Sequence, residues 1–161
     1  MTERMTERTI RDLLGAHDFF AQMTPEHLDL IAGCGRNEVF PADAVIAHEG
    51  DPAERFFVVR TGRVAVGIHV PQHEPLVVAT LGTGDVLGWS WLFPPHRWRF
   101  DAHAVQETHV ISLDGVCLRQ KCESDPVLGY VLMQRFAQIL VQRLEATRLQ
   151  LVDLYGTPHE R

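Results

Sequence analysis

Between Glu38 and Leu113 the chain falls into short runs rich in valine, isoleucine and phenylalanine: EVF, AVIAHEG, RFFVVRTGRVAVGIHV, LVVATLGTGDVLG and HVISLD. Glycine or proline punctuates them roughly every eight to twelve residues, the texture of an all-β sandwich or barrel rather than of parallel β-α units. Arg60-Thr61-Gly62-Arg63 separates two alternating stretches and reads as a tight hairpin turn in which Gly62 supplies a positive φ. Gly50-Asp51 and Gly84-Asp85 read as further corners.

Helical spacing flanks this block. Before it, Ile10, Leu13 and Leu14, then Leu28, Ile31 and Ala32, recur at intervals of three and four. Thr24-Pro25-Glu26 places a capping hydroxyl ahead of a proline at the first helical position. These residues predict N-terminal helices over 9–37, a β-roll over 38–113 and C-terminal helices over 114–156, within one domain of residues 9–161. The repeated MTER of residues 1–8 is polar and aperiodic and is expected to be flexible. After Asp125 an amphipathic run extends to about Tyr155, with Ala137, Leu144 and Leu151 repeating at seven. A helix of roughly thirty residues is about 45 Å long and outreaches a small β-roll. Val141, Leu144, Arg148, Leu151 and Leu154 are therefore the expected seam for a homodimer or another protein partner.

Composition narrows the function. Fifteen basic and twenty-one acidic side chains leave a formal charge of −6, which gives no support for contact with nucleic acid. No apolar run of about eighteen residues appears, so no membrane span is expected, and without a signal-like start the chain is expected to be cytoplasmic. Cys34, Cys117 and Cys122 lack paired metal-site spacing and read as buried or free thiols in a reducing compartment. The nine histidines show neither HxH nor HExxH spacing, so no metal is expected. No nucleophile elbow, P-loop or dinucleotide fingerprint is present. His96, Asp101 and Cys117 are the best catalytic grouping available, and chance accounts for it, so the chain is not expected to be an enzyme.

Residues 84–104, GDVLGWSWLFPPHRWRFDAHA, set three tryptophans beside two arginines. Guanidinium groups suit phosphate or carboxylate. Indoles either pack a core with cation–π contacts or stack on something flat. Together with Phe19-Phe20, the run AVIAHEGDPAERFFVVRTGRVAV at 44–66, GTGDVLG at 82–88 and RLEATRLQL at 143–151, the chain resembles the cyclic nucleotide-binding domain, the sensor half of cAMP-receptor/FNR-type regulators. The resemblance implies a mostly β jelly roll with N-terminal helices, a short helical element at 88–93 and a long closing helix.

It also implies a phosphate cassette in which backbone N–H groups and an arginine hold the phosphate and a glutamate accepts from the ribose 2′-hydroxyl. Gly88 matches the cassette glycine. The glutamate position falls on Trp89, with Ser90 and Trp91 following. The arginine position falls on Trp98, between Arg97 and Arg99; a one-residue shift brings in Arg99, with Asp101 two residues later. In RLEAT, Thr147 matches a helix threonine that reaches the purine in some members, preceded by Arg143. Trp89, Trp91, Phe93 and Trp98 either fill the pocket or stack on a ligand whose phosphate meets Arg97 or Arg99. No cofactor follows with certainty; a cyclic nucleotide or another nucleotide is the candidate ligand.

Members of this kind carry a helix-turn-helix after the long helix, whereas here YGTPHER follows. The expectation is therefore a stand-alone cyclic nucleotide-binding-like regulatory or sensor protein with a divergent cassette, signalling through its long helix. The alternative is a degenerate accessory subunit docking on a multisubunit, NAD(P)-linked redox complex of the hydrogenase type, which small proteins resembling this domain accompany.

Overall fold

The computed structural model describes residues 10–156. The flexible N-terminus expected for residues 1–8 lies outside them. Helix α1 (residues 10–15) buries Ile10 and Leu14 and leads into a 3₁₀ turn, Asp18–Phe20, which buries both phenylalanines. Helix α2 (Pro25–Ala32) starts as its sequence predicts: the Thr24 hydroxyl accepts from the His27 amide at 3.2 Å, with proline in the first turn.

Eight strands follow: β1 (Gly35–Phe40), β2 (Val45–Ala47), β3 (Arg55–Thr61), β4 (Val64–Ile68), β5 (Leu76–Leu81), β6 (Val86–Leu87), β7 (Asp101–Ala104) and β8 (Thr108–Asp114). They form two antiparallel four-stranded sheets, ordered β1-β8-β3-β6 and β2-β7-β4-β5. This is the expected jelly roll. One local expectation is corrected: the turn at Gly62 does not close a paired hairpin, because β3 and β4 enter different sheets. The turn is a corner between sheets, and the glycine is needed there. Its φ is 108°, and a Cβ would lie 2.6 Å from the Thr108 backbone. The Thr108 hydroxyl fastens the corner, accepting from the Arg63 amide at 3.2 Å.

Strand β3 belongs to two cores at once. Successive side chains point to opposite faces, so Phe56 and Val58 join the helix-facing cluster while Phe57 and Val59 join the cluster between the sheets. Helix α3 (Gly115–Ser124) opens with the Asp114 carboxylate accepting from the Cys117 amide. Helix α4 (Pro126–Gly156) buries Leu128, Leu132 and Phe136 in the helix-facing cluster. Its second half then leaves the core. From Val141 to Tyr155 every residue is exposed except Arg143. No helix among the described residues is long and apolar enough to cross a membrane.

The cysteines differ from expectation. Cys34 and Cys117 form a disulfide with a Cα–Cα separation of 5.8 Å, and Cys122 alone is a free thiol. The β1–β8 pairing, which begins at Gly35 opposite Leu113, brings the chain just before β1 against the start of α3, a proximity that spacing in sequence does not reveal.

Candidate functional site: a cavity between the roll and the long helix

After β6 the backbone turns at Gly88, whose φ of 102° favours glycine. A Cβ there would lie 2.8 Å from the Trp98 ring, so the indole lies against the bare glycine face. The expected short helix at 88–93 does not form. Residues 89–96 instead make reverse turns, with the Leu92 amide donating to the Trp89 carbonyl at 3.0 Å and the His96 amide to the Phe93 carbonyl at 2.8 Å. Pro94-Pro95 also bars a helix from continuing past Phe93, since two consecutive residues lack an N–H and the residue before a proline is steered away from helical geometry. The helix N-terminus that would cradle a phosphate is therefore missing.

The candidate residues separate into two groups. Trp91 is fully buried in the helix-facing core, stacked on Phe56 at 4.9 Å, while its carbonyl accepts from Arg119. Ser90 is buried beside it, and among the described residues neither the Ser90 hydroxyl nor the Trp91 indole nitrogen has a hydrogen-bond partner. Trp98 fills the interior of the roll, 6.3 Å from Phe57 and 5.6 Å from Phe100. Arg97 turns toward the corner before β3, donating to the Gly50 carbonyl at 2.8 Å. Gly88, Ser90, Trp91, Arg97 and Trp98 thus serve packing and local geometry, and none lines the cavity described next.

Trp89, Arg99, Arg143 and Thr147 do come together. They border a cavity of about 270 Å³ between β4–β5 and α4, with apolar walls from Val66, Ile68, Val78 and Phe100. Arg99 is exposed at its rim and makes no hydrogen bond or ion pair among the described residues. The Asp101 carboxylate accepts from the Glu49 amide at 2.7 Å, so it turns toward the β2–β3 corner and does not oppose an anion at Arg99. Arg143 is held at two points: one nitrogen donates to the Val86 carbonyl at 2.6 Å, and the guanidinium carbon lies 4.8 Å above the Trp89 ring. Burial lowers its pKa, partly offset by Asp85. The Thr147 hydroxyl donates to the Arg143 carbonyl at 2.9 Å. Its lone pairs remain free to accept.

Arg143 also borders a second cavity of about 350 Å³ on its other side, with Asp85, Arg135, Gln138 and Gln142. The arrangement suits a flat or apolar body with an anionic group. Of the catalytic grouping drawn from the sequence, Cys117 is held in the disulfide and the Asp101 carboxylate accepts from the Glu49 amide. The β4–β5 wall carries no distinguishing mark in the sequence, because Val66, Ile68 and Val78 are the same residue types that fill a core.

Comparison with known proteins follows the same lines. A sequence model of the family described as "Cyclic nucleotide-binding domain" matches residues 37–125. The CRP-like cAMP-activated global transcriptional regulator of Mycobacterium tuberculosis is 26% identical over 118 residues, covering 73% of this chain and 51% of that protein. The chain thus spans about half the length of the curated relatives it matches. A putative cyclic nucleotide-binding protein from Geobacter metallireducens superposes with a TM-score of 0.74 at 28% identity, covering 86% of this chain and 97% of that one. A cyclic nucleotide-binding domain from Methylobacillus flagellatus gives 0.77 at 20% identity, covering 95% and 86%. The regulatory domain of Toxoplasma gondii PKA, solved with cAMP, gives 0.69 at 18% identity over 84% of this chain and 51% of that chain, and shares the fold.

Proposed function

The chain belongs to the cyclic nucleotide-binding domain family, and from that premise we propose that it is a cytoplasmic regulatory sensor whose ligand occupies the cavity between the roll and α4. The observation that carries this reading is the pair of guanidinium groups there: Arg99 at the rim, unpaired among the described residues, and Arg143 resting on Trp89 with donors to spare. Both face apolar walls, where an ionic hydrogen bond to an anionic ligand contributes about 1.5–3 kcal/mol. Trp89 stands where a ribose-reading carboxylate is expected, so recognition rests on stacking and charge rather than on a 2′-hydroxyl. Losing that acceptor weakens a cyclic nucleotide by about tenfold to a hundredfold.

Signal leaves through α4. Val141, Leu144, Arg148, Leu151 and Leu154 are all exposed on its projecting half, in keeping with a seam for a second copy or a protein partner. That exposed row also favours a second reading, an accessory module that docks through α4 with its roll interior closed by Trp98 and Phe100.

Thermal unfolding with cAMP, cGMP, a cyclic dinucleotide, NADH and NADPH separates the two. A ligand at a hundred times its dissociation constant stabilises by about 2.7 kcal/mol. A shift that disappears in Arg99→Ala supports the sensor; a shift unchanged in both Arg99→Ala and Thr147→Val refutes this cavity as its site. Silence across the panel, with a co-purifying partner lost on Leu144→Glu, favours the docking module.

A further inference from the structure

The disulfide lies outside the ligand cavity and has its own setting. Cys34 follows the Gly33 cap of α2, and Cys117 sits in the first turn of α3. The two residues are unequally shielded: Cys34 is 8% exposed, whereas Cys117 is half-buried. A cavity of about 200 Å³ opens onto the pair, bordered by both cysteines with Arg36, Arg55, Ser112 and Asp114. Arg36 and Arg55 share one carboxylate, Glu38, at 3.8 and 3.5 Å, and the charged groups lining the cavity itself are these two guanidinium groups and the Asp114 carboxylate. The Asp114 carboxylate is turned to the Cys117 amide at 3.0 Å.

Attack by a thiolate on a disulfide depends on access and on which sulfur is struck. Here access and the two guanidinium groups coincide at Cys117, whose place at the start of α3 bears on the second step. A thiolate at a helix N-terminus is stabilised by the amide dipoles, which makes Cys117 the better final leaving group. We propose that Cys34–Cys117 is a thiol–disulfide exchange site for a small anionic thiol of the glutathione class, which enters beside Arg36 and Arg55 and strikes Cys117 Sγ. In the first step the thiolate sulfur bonds to Cys117 Sγ, the Cys34–Cys117 bond breaks, and its electron pair leaves on Cys34, which takes a proton from water. In the second step another thiolate attacks the small-molecule sulfur of the mixed disulfide and Cys117 departs as thiolate. Two small thiols are oxidised to one small disulfide, and the protein gains two electrons and two thiols.

The state of the pair changes the footing of the long helix. Besides the disulfide, α2 is tied to α3 and its corner with α4 by the Lys121 ammonium donating to the Leu30 carbonyl at 2.7 Å and by His27 beside Asp125 at 3.4 Å. Helix α3 in turn packs on α4. Opening the disulfide removes the crosslink and leaves these polar ties together with the apolar cluster that Ile31 shares with Leu118 and Leu128. The inference is independent of whether the roll binds a nucleotide.

The test equilibrates folded protein in glutathione buffers of graded reduced-to-oxidised ratio at neutral pH, quenches with an alkylating agent, and maps the cysteines by mass while circular dichroism monitors the fold. The two-thiol form should rise with the reduced fraction under a native spectrum, with glutathione trapped on Cys117 in Cys34→Ser. In an Arg36→Gln, Arg55→Gln double variant, the exchange rate with glutathione relative to that with neutral β-mercaptoethanol should fall several-fold. A pair that opens only in denaturant, glutathione found on Cys34 of the parent protein, or an unchanged rate ratio overturns the proposal. If Cys34→Ser fails to fold, the rate ratio, read on disulfide-bonded protein, still decides.

Discussion

Cutting the Cys34–Cys117 crosslink should cost this protein a large share of its stability. The bond closes 83 residues of sequence separation. In the chain-entropy account, a loop of that length removes about 4.5 kcal/mol worth of unfolded-state freedom at room temperature. For a chain of this size, each kcal/mol moves the midpoint by about 2–4 °C, so a fall of roughly 9–18 °C is expected when Cys34 and Cys117 are both replaced by serine. Urea unfolding at neutral pH is the assay, comparing the disulfide-bonded protein with the double variant and with reduced, alkylated protein. The slope with denaturant should rise along with the loss of stability, because an uncrosslinked chain exposes more surface on unfolding. Domains of this size hold about 5–15 kcal/mol in total, so the uncrosslinked protein should remain folded with a thin margin. A loss below about 1 kcal/mol with an unchanged slope would refute the reasoning, because it would place most of the closure in residual denatured-state structure rather than in the bond.

Burial lowers the His17 pKa below its ordinary 6.5, more than Asp18 raises it, so the folded state favours the neutral ring. That contribution is fully present above pH 6.5 and is lost as pH falls from there toward the folded pKa. Thermal midpoints at neutral and mildly acidic pH should therefore fall less steeply for His17→Gln than for the parent. Gly88→Ala forces a positive φ on alanine and pushes its Cβ into Trp98. A loss of about 2–4 kcal/mol in urea unfolding is expected from strain and overpacking combined. Leu144→Glu with Leu151→Glu alters only exposed positions. It should leave the unfolding midpoint of the monomer within about 0.5 kcal/mol while abolishing association in sedimentation velocity.

Local signals translated well into structure where the chemistry is itself local. Thr24 and Pro25 predict the start of α2 because a hydroxyl cap and a donor-free residue act within one turn. Gly62 predicts a positive φ because the corner leaves no space for a side chain. The partners of that corner were not legible: β3 pairs with β8 and β4 with β7, strands that lie some forty residues further along the chain. The candidate site shows the same division. Trp89, Arg99, Arg143 and Thr147 meet at one cavity, whereas Trp91 and Trp98 turn into separate cores. Indoles in one short segment carry no mark of direction, and residues 89–96 run through reverse turns rather than a helix whose faces would assign them. The disulfide was hidden for a related reason, since its two halves become neighbours only once β1 pairs with β8.

Arg143 and Leu144 are consecutive residues on α4, one folded back onto Val86 and Trp89 and the other facing outward. Both belong to one stiff rod, about 100° apart around its axis. A ligand that draws Arg143 away from the Val86 carbonyl would turn the rod that carries the seam, and a partner gripping the seam would load the same rotation from the other end. Linkage makes the two effects equal: whatever factor the ligand applies to the partner's affinity, the partner must apply to the ligand's. Ligand affinity measured on the isolated protein would then be the value for one assembly state, and titrating the partner would move it in a direction that reports which way the rod turns.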